Sequence, residues 1–330
     1  MKIKAFMVAL AALVLSTNTF AQEPSIELNN AYANATQKIS AKEYAEAISF
    51  LEQTLELAYA EENAEYLVKA QRYIPVCYYS SGNAKVKAKN LDGALEDYAK
   101  AIELGNFYGD TKTVRNAKNQ ISKIYKSKGA GAYNKKNYAA AAEVFAKGYE
   151  ANRQDTDLAL YLAMSYCEMG DYTNGVRVYT DIIALETRHS KFAKAAATAK
   201  EKLSNYLLVK AQEESKKGDK DAVYATLEIL VDAVPARFDN QIYRLNTAAN
   251  NKDWANLAAW GEQALPHFKG NDVQLSDINY LIAVAYDSMD ENEKAIEAYK
   301  CVTAGKQVAA AKKRANELAK FLKEQKAHQK

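Results

Sequence analysis

A chain of 330 residues, 48% of them apolar, is long enough to bury a sizeable core, as two or three globular domains or as one extended array. Only 13 Gly and 4 Pro occur, so turn formers and helix breakers are scarce and an all-helical fold is expected. A formal net charge of +3 excludes a global pull toward nucleic acid or an anionic membrane, and three cysteines are too few for a disulfide framework.

Residues 1–21, MKIKAFMVALAALVLSTNTFA, place Lys2 and Lys4 before a short apolar run from Ala5 to Leu15, with Thr19 and Ala21 at the end. This is the pattern of a bacterial signal peptide, too short to span a bilayer, and it predicts a mature chain beginning at Gln22. The expected location is the periplasm, with the extracellular space as the alternative. Removing two lysines leaves 42 basic against 41 acidic residues, a mature charge of +1. No later segment is apolar for long enough to cross a membrane.

From residue 28 to 309 the chain repeats itself. The phrases are EYAEAISFLEQTLELA at 43–58, NLDGALEDYAKAIELG at 90–105, NYAAAAEVFAKGYEAN at 137–152, DYTNGVRVYTDIIALE at 171–186 and ENEKAIEAYKCVTAGK at 291–306. Weaker copies begin at Asp219 and Asp253. In the second copy Leu91, Ala94, Tyr98 and Ala101 fall on one helical face; in the third, Tyr138, Ala141, Phe145 and Gly148 do. A small residue lets a neighbouring helix come close, and the aromatic a turn later fills the space toward the next unit. A second helical segment precedes each phrase, so the unit is an antiparallel helix pair. In the fourth unit that segment carries Ala159, Leu162, Ala163 and Tyr166 before a turn at Gly170 and Asp171.

This order resembles the tetratricopeptide repeat (TPR), with Gly82, Ala94, Tyr98 and Ala101 standing where that repeat has its glycine, alanine, aromatic and alanine. Ala163, Tyr166 and Tyr172, Pro235, and Ala295 and Tyr299 match similarly. Gly175 and Leu257 replace the alanine of the second helix, and Gly261 its aromatic. The resemblance implies an all-α solenoid of about seven TPR-like helix pairs over 22–309, with a basic C-terminal helix or tail over 310–330. Second-helix landmarks fall at Tyr44, Leu91, Tyr138, Tyr172, Lys220, Trp254 and Asn292, and three gaps exceed the repeat's period. The surplus segments AEYLVKAQRYIP, DTKTVRNAKNQI and SKFAKAAATAKEKL must lengthen a first helix or form separate short ones; Pro75 favours a kink or break in the first, and nothing breaks the second.

No catalytic constellation accompanies the repeats. His189, His267 and His328 lie in different units without partners at metal-ligand spacing, and no phosphate-cradling loop, nucleophile elbow or CxxC motif occurs. Cys77, Cys167 and Cys301 are expected as small buried hydrophobes on helices. The expectation is a non-catalytic protein with no cofactor and no metal. The tail from Gly305 to Lys330, with eight Lys or Arg against two Glu, reads as a capping helix with a solvated basic face.

The resemblance implies that the first helices line a binding groove. Its positions carry over to Tyr32, Tyr79, Asn83, Lys87, Lys126, Tyr133, Asn134, Met164, Gln212, Lys216, Asn246, Asn250 and Tyr280. Amides would pair a peptide backbone, aromatics would take side chains and Lys would meet a carboxylate. Some members of the family clamp a terminal carboxylate with Lys and Asn one turn apart; here Tyr79 precedes Asn83 and Ala130 follows Lys126, so that clamp is not expected. The partner expected is an envelope or secreted protein or peptide. The alternative is a glycan or peptidoglycan fragment, motivated by 23 tyrosines and by Trp254 and Trp260 in one unit.

Overall fold

The computed structural model describes residues 23–328, so the expected leader lies outside the described residues. Fifteen α-helices and no strand occur among them. Seven antiparallel pairs follow one another: α1 (Ile26–Ala41) with α2 (Tyr44–Ala60), α3 (Ala64–Lys87) with α4 (Leu91–Tyr108), α5 (Thr111–Asn134) with α6 (Tyr138–Ala151), and α7 (Thr156–Glu168) with α8 (Tyr172–Arg188). Next come α9 (Ala193–Lys216) with α10 (Lys220–Ala233), α11 (Phe238–Asn250) with α12 (Trp254–Ala264), and α13 (Asp272–Ser288) with α14 (Asn292–Lys300). A last helix, α15 (Val308–His328), packs on α14. The chain is an all-α solenoid, and every second helix begins at its sequence landmark.

Most of the helices start where a side chain satisfies a free backbone donor. Asn90, Asp110 and Asn137 each accept a hydrogen bond from the N–H three residues on, at 3.1, 3.0 and 3.2 Å. Asp171, Asp219 and Asp253 do the same for α8, α10 and α12. Short turns then force neighbouring helices antiparallel.

Backbone contacts divide the chain into two compact units, one through Leu158 and one from Ala159. In the first, Ala94, Tyr98, Ala101, Ala141 and Phe145 are buried, and two glycines set how closely the helices approach. A Cβ on Gly82 would stand 2.7 Å from the Tyr98 ring, and one on Gly129 would stand 2.3 Å from that of Phe145. In the second unit Gly175 lies against Cys167, and a Cβ on Gly261 would meet Ile282 at 2.4 Å. So where the sixth pair lacks the repeat's aromatic, an isoleucine from α13 fills the place.

All three surplus segments lengthen first helices. Each of α3, α5 and α9 has 24 residues. Only a short 3-10 turn, Ser190–Phe192, precedes α9. The break expected at Pro75 does not occur, because Pro75 is buried within a continuous α3 packed on both α2 and α4. Those contacts outweigh the one hydrogen bond a proline removes, worth about 3 kcal/mol with its steric clash.

Cys77 and Cys167 are buried, and burial pushes their thiols up to about 11 and about 12, which leaves them unreactive. Cys301 departs from expectation and is exposed, at the C-cap of α14 just past Lys300.

The C-terminal helix is docked by an apolar face of Ala311, Ala315 and Leu318 and by two ion pairs, Lys326 with Glu293 at 3.2 Å and Arg314 with Asp287, of which the second is the more closely bonded. Asp287 accepts from Arg314 Nε at 2.7 Å and Nη2 at 2.8 Å, and from the Tyr299 hydroxyl at 3.2 Å. The Arg314 hydrogen bonds hold the Asp287 carboxyl below the usual carboxylate range, against the opposing effect of burial. A depressed carboxyl contributes stability that is complete above its unfolded pKa of about 3.9 and is lost as pH falls through the lower folded value. Hydrogen exchange in α15 should therefore speed up only below about pH 4, and Asp287→Asn should speed it up at neutral pH. Arg314 is 45% exposed, so solvent screening holds the effect to about 1 kcal/mol. Unchanged α15 exchange in the variant would rule out this anchor.

Candidate functional site

The expected groove residues sort by how much of each side chain packing has already engaged. In the first unit Tyr32 lies edge-on to Tyr66 at 5.4 Å with Lys69 Nζ 5.3 Å from its ring. Tyr79 packs at 5.8 Å against Tyr98 with the ring planes tilted by 44°, and Asn83 accepts from the Tyr98 hydroxyl at 2.7 Å. These two groove positions are thus brought together by a buried second-helix tyrosine. Tyr133 packs against Tyr138 at 5.4 Å and Phe145 at 6.4 Å. Lys126 reaches Asp157 at 3.5 Å, while Lys87 and Asn134 stand exposed near the ends of α3 and α5.

The second unit presents more free polar surface. Gln212 and Lys216 are exposed one turn apart on α9, and Asn246 and Asn250 are exposed one turn apart on α11. Met164 on α7 is half-buried, and Tyr280 on α13 packs edge-on to Tyr299 at 5.9 Å. A buried hydrogen bond at 3.0 Å, from Asn240 Nδ2 to Ser204 Oγ, ties α11 to α9. Counting along each helix at about 1.5 Å per residue from that bond, Asn246 lies about 9 Å along, Gln212 about 12, Asn250 about 15 and Lys216 about 18. The four side chains therefore interleave in height on two first helices that run the same way.

Sequence reasoning missed a polar row beneath this surface. Arg244 is 4% exposed, with Nη2 3.4 Å from Gln241 Oε1 and 3.5 Å from the Trp260 carbonyl, and its Nε has no partner. Its guanidinium sits 4.9 Å from the Trp260 ring, which Tyr224 meets edge-on at 4.9 Å. Burial presses the guanidinium pKa down, and the carboxylates of Asp232 and Glu228 on α10 act in the opposite direction. The available signal was Asn240 and Arg244 four apart, in register with the apolar Ala248. Trp260 is thereby engaged by two packing partners.

His189, His267 and His328 are exposed. Among the described residues no group of three His, Cys, Asp or Glu could hold a metal ion, and no helix is long and apolar enough to cross a membrane.

No protein-family model matches the sequence, and no curated protein matches it. Solved structures do. The TPR domain of P58(IPK) is 12% identical, with 90% of this chain and 99% of that one covered at a TM-score of 0.29. A tetratricopeptide repeat protein from Parabacteroides merdae is 14% identical over 89% of this chain and all of its own, with a TM-score of 0.27. The complex of the TPR2AB domain of yeast Sti1 with pHSP90 is 17% identical over 75% and 96%, also at 0.27. With its seven helix pairs and glycine-to-aromatic contacts, the fold of this chain is TPR-like.

Proposed function

We propose that this chain is a non-catalytic protein-interaction scaffold of the bacterial periplasm that holds an extended polypeptide segment along its first helices. The observation that carries the reading is the contrast within the second unit. Second helices are consumed by packing, as at Tyr179, Leu227 and Leu257, whereas Gln212, Lys216, Asn246 and Asn250 stand exposed and interleaved on α9 and α11. Amides supply both donors and acceptors to a peptide backbone, and Lys216 supplies a cation for a carboxylate at one end of the row. The leader-like residues 1–21 support export.

The test is a photo-crosslinker at Asn246 in cells, with mass spectrometry of the adduct and subcellular fractionation. One envelope protein should crosslink repeatedly, and the quadruple alanine variant at Gln212, Lys216, Asn246 and Asn250 should bind it at least about 30-fold more weakly without a change in melting temperature. No adduct above background, or undiminished binding by the variant, would sink the proposal.

A further inference from the structure

The first unit carries an asymmetry of charge that its packing does not require. Because neighbouring helices are antiparallel, the α1–α2, α3–α4 and α5–α6 turns lie at one edge of the unit, and the α2–α3 and α4–α5 turns lie at the other. At the first edge Lys42, Lys87, Lys89, Lys135 and Lys136 are exposed and form no ion pair among the described residues. The acids nearest these turns are already engaged. Glu43 and Glu46 both meet Lys38, the latter at 2.6 Å, and Asp92 meets Lys128 at 2.7 Å. The opposite edge carries Glu27, Glu61, Glu62 and Asp110 without a lysine partner, against Lys112 and Arg115 as exposed cations.

Backbone geometry supplies a second, independent observation. Lys42, Lys89 and Lys136 are in the left-handed region, with φ of 64°, 62° and 58°. Glycine is the unstrained residue there, and the α7–α8 and α9–α10 turns use it, at Gly170 and Gly218 with φ of 86° and 76°. The three turns of this edge therefore place lysine where folding alone favours glycine, whereas the left-handed residue of the α2–α3 turn at the opposite edge is Glu62, with φ of 53°. Helix C-termini do attract cations, but Lys87 in the last turn of α3 already meets that demand at the second turn.

We propose that this turn edge docks the first unit onto an anionic lipid bilayer. The cations stand on turns, beside small or polar residues such as Ser40, Ala88, Gly131 and Asn134. Such an array suits a flat field of headgroups. Successive turns lie about 10 Å apart, the spacing of packed helices and about one Debye length in 0.1 M salt, so their fields overlap at a surface. The acidic edge is repelled by the same membrane, which fixes the direction of approach.

The experiment is co-flotation of the full mature chain with vesicles of mixed phosphatidylcholine and phosphatidylglycerol, against vesicles of phosphatidylcholine alone. The chain should float with the mixed vesicles only, and less so as salt rises. The triple variant Lys42→Gly, Lys89→Gly and Lys136→Gly should melt at a higher temperature than the parent yet bind these vesicles about a hundredfold more weakly. Lys252→Gly, at a left-handed turn of the second unit with φ of 54°, should raise the melting temperature and leave flotation unchanged. Binding retained by the triple variant would overturn the proposal. So would flotation with neutral vesicles, or binding to soluble polyglutamate with none to mixed vesicles, which would assign the edge to an acidic polypeptide instead.

Discussion

Phe145→Ala should destabilise the first unit by about 3–5 kcal/mol, the range for deleting a fully buried aromatic from a core that cannot collapse around the void. Gly129→Ala should cost about 1–3 kcal/mol for the opposite reason, since its new methyl has no room against the Phe145 ring. Together the two changes should cost less than the sum of their separate effects by about 1 kcal/mol or more, because the methyl then occupies part of the space the ring has left. Urea unfolding of the two single variants and the double variant measures this coupling. Simple additivity would mean that α5 and α6 are not held at their separation by this contact. The same logic governs Gly82 and Tyr98 one pair earlier, with the added constraint that the Tyr98 hydroxyl must keep its acceptor on Asn83.

Arg244 yields the second large effect, and its sign depends on what replaces it. A buried guanidinium with no carboxylate in contact, one unsatisfied N–H and two long hydrogen bonds recovers little of its lost hydration. Arg244→Met keeps the bulk of the side chain against Trp260 and removes the charge, so stability should be unchanged or raised by up to about 2 kcal/mol. Arg244→Ala removes the stem as well and should lower stability by about 2–3 kcal/mol. Chemical denaturation followed by tryptophan fluorescence separates the two. Equal large losses in both variants would show that the guanidinium itself, through its interaction with the indole ring, holds α11 to α12.

Much of the fold is legible because the small and large residues of each second helix have little freedom. Ala94 and Ala141 admit a neighbour, Tyr98 and Phe145 fill what remains, and the landmark residues mark helix starts because polar caps precede them. Pro75 misleads about a break because its local penalty is read without the two helices that carry α3 unbroken through it, a tertiary contribution that no window of sequence contains. Cys301 misleads for a similar reason, as its fate depends on where α14 stops.

The binding surface is less legible. Tyr79, Asn83 and Tyr133 occupy first-helix positions that a groove would use, yet each also finds a partner in its own pair. Spacing along a helix gives the direction of a side chain and not what already fills that direction. Arg244 escapes notice for the converse reason, because a charged residue at a core-facing position reads as surface until its neighbours enclose it.

The three long first helices have a mechanical consequence. Each of α3, α5 and α9 has 24 residues, while their second helices have 18, 14 and 14. For α5 and α9 the excess of ten residues amounts to about 15 Å of helix reaching past the partner. α5 lies against both α4 and α6, and α9 against both α8 and α10. In a chain whose stability is a sum of repeats and their interfaces, such a member acts as a splice across the joint. Fraying that starts at a short pair should halt at these helices, so a solenoid built from seven pairs should come apart in fewer steps than seven.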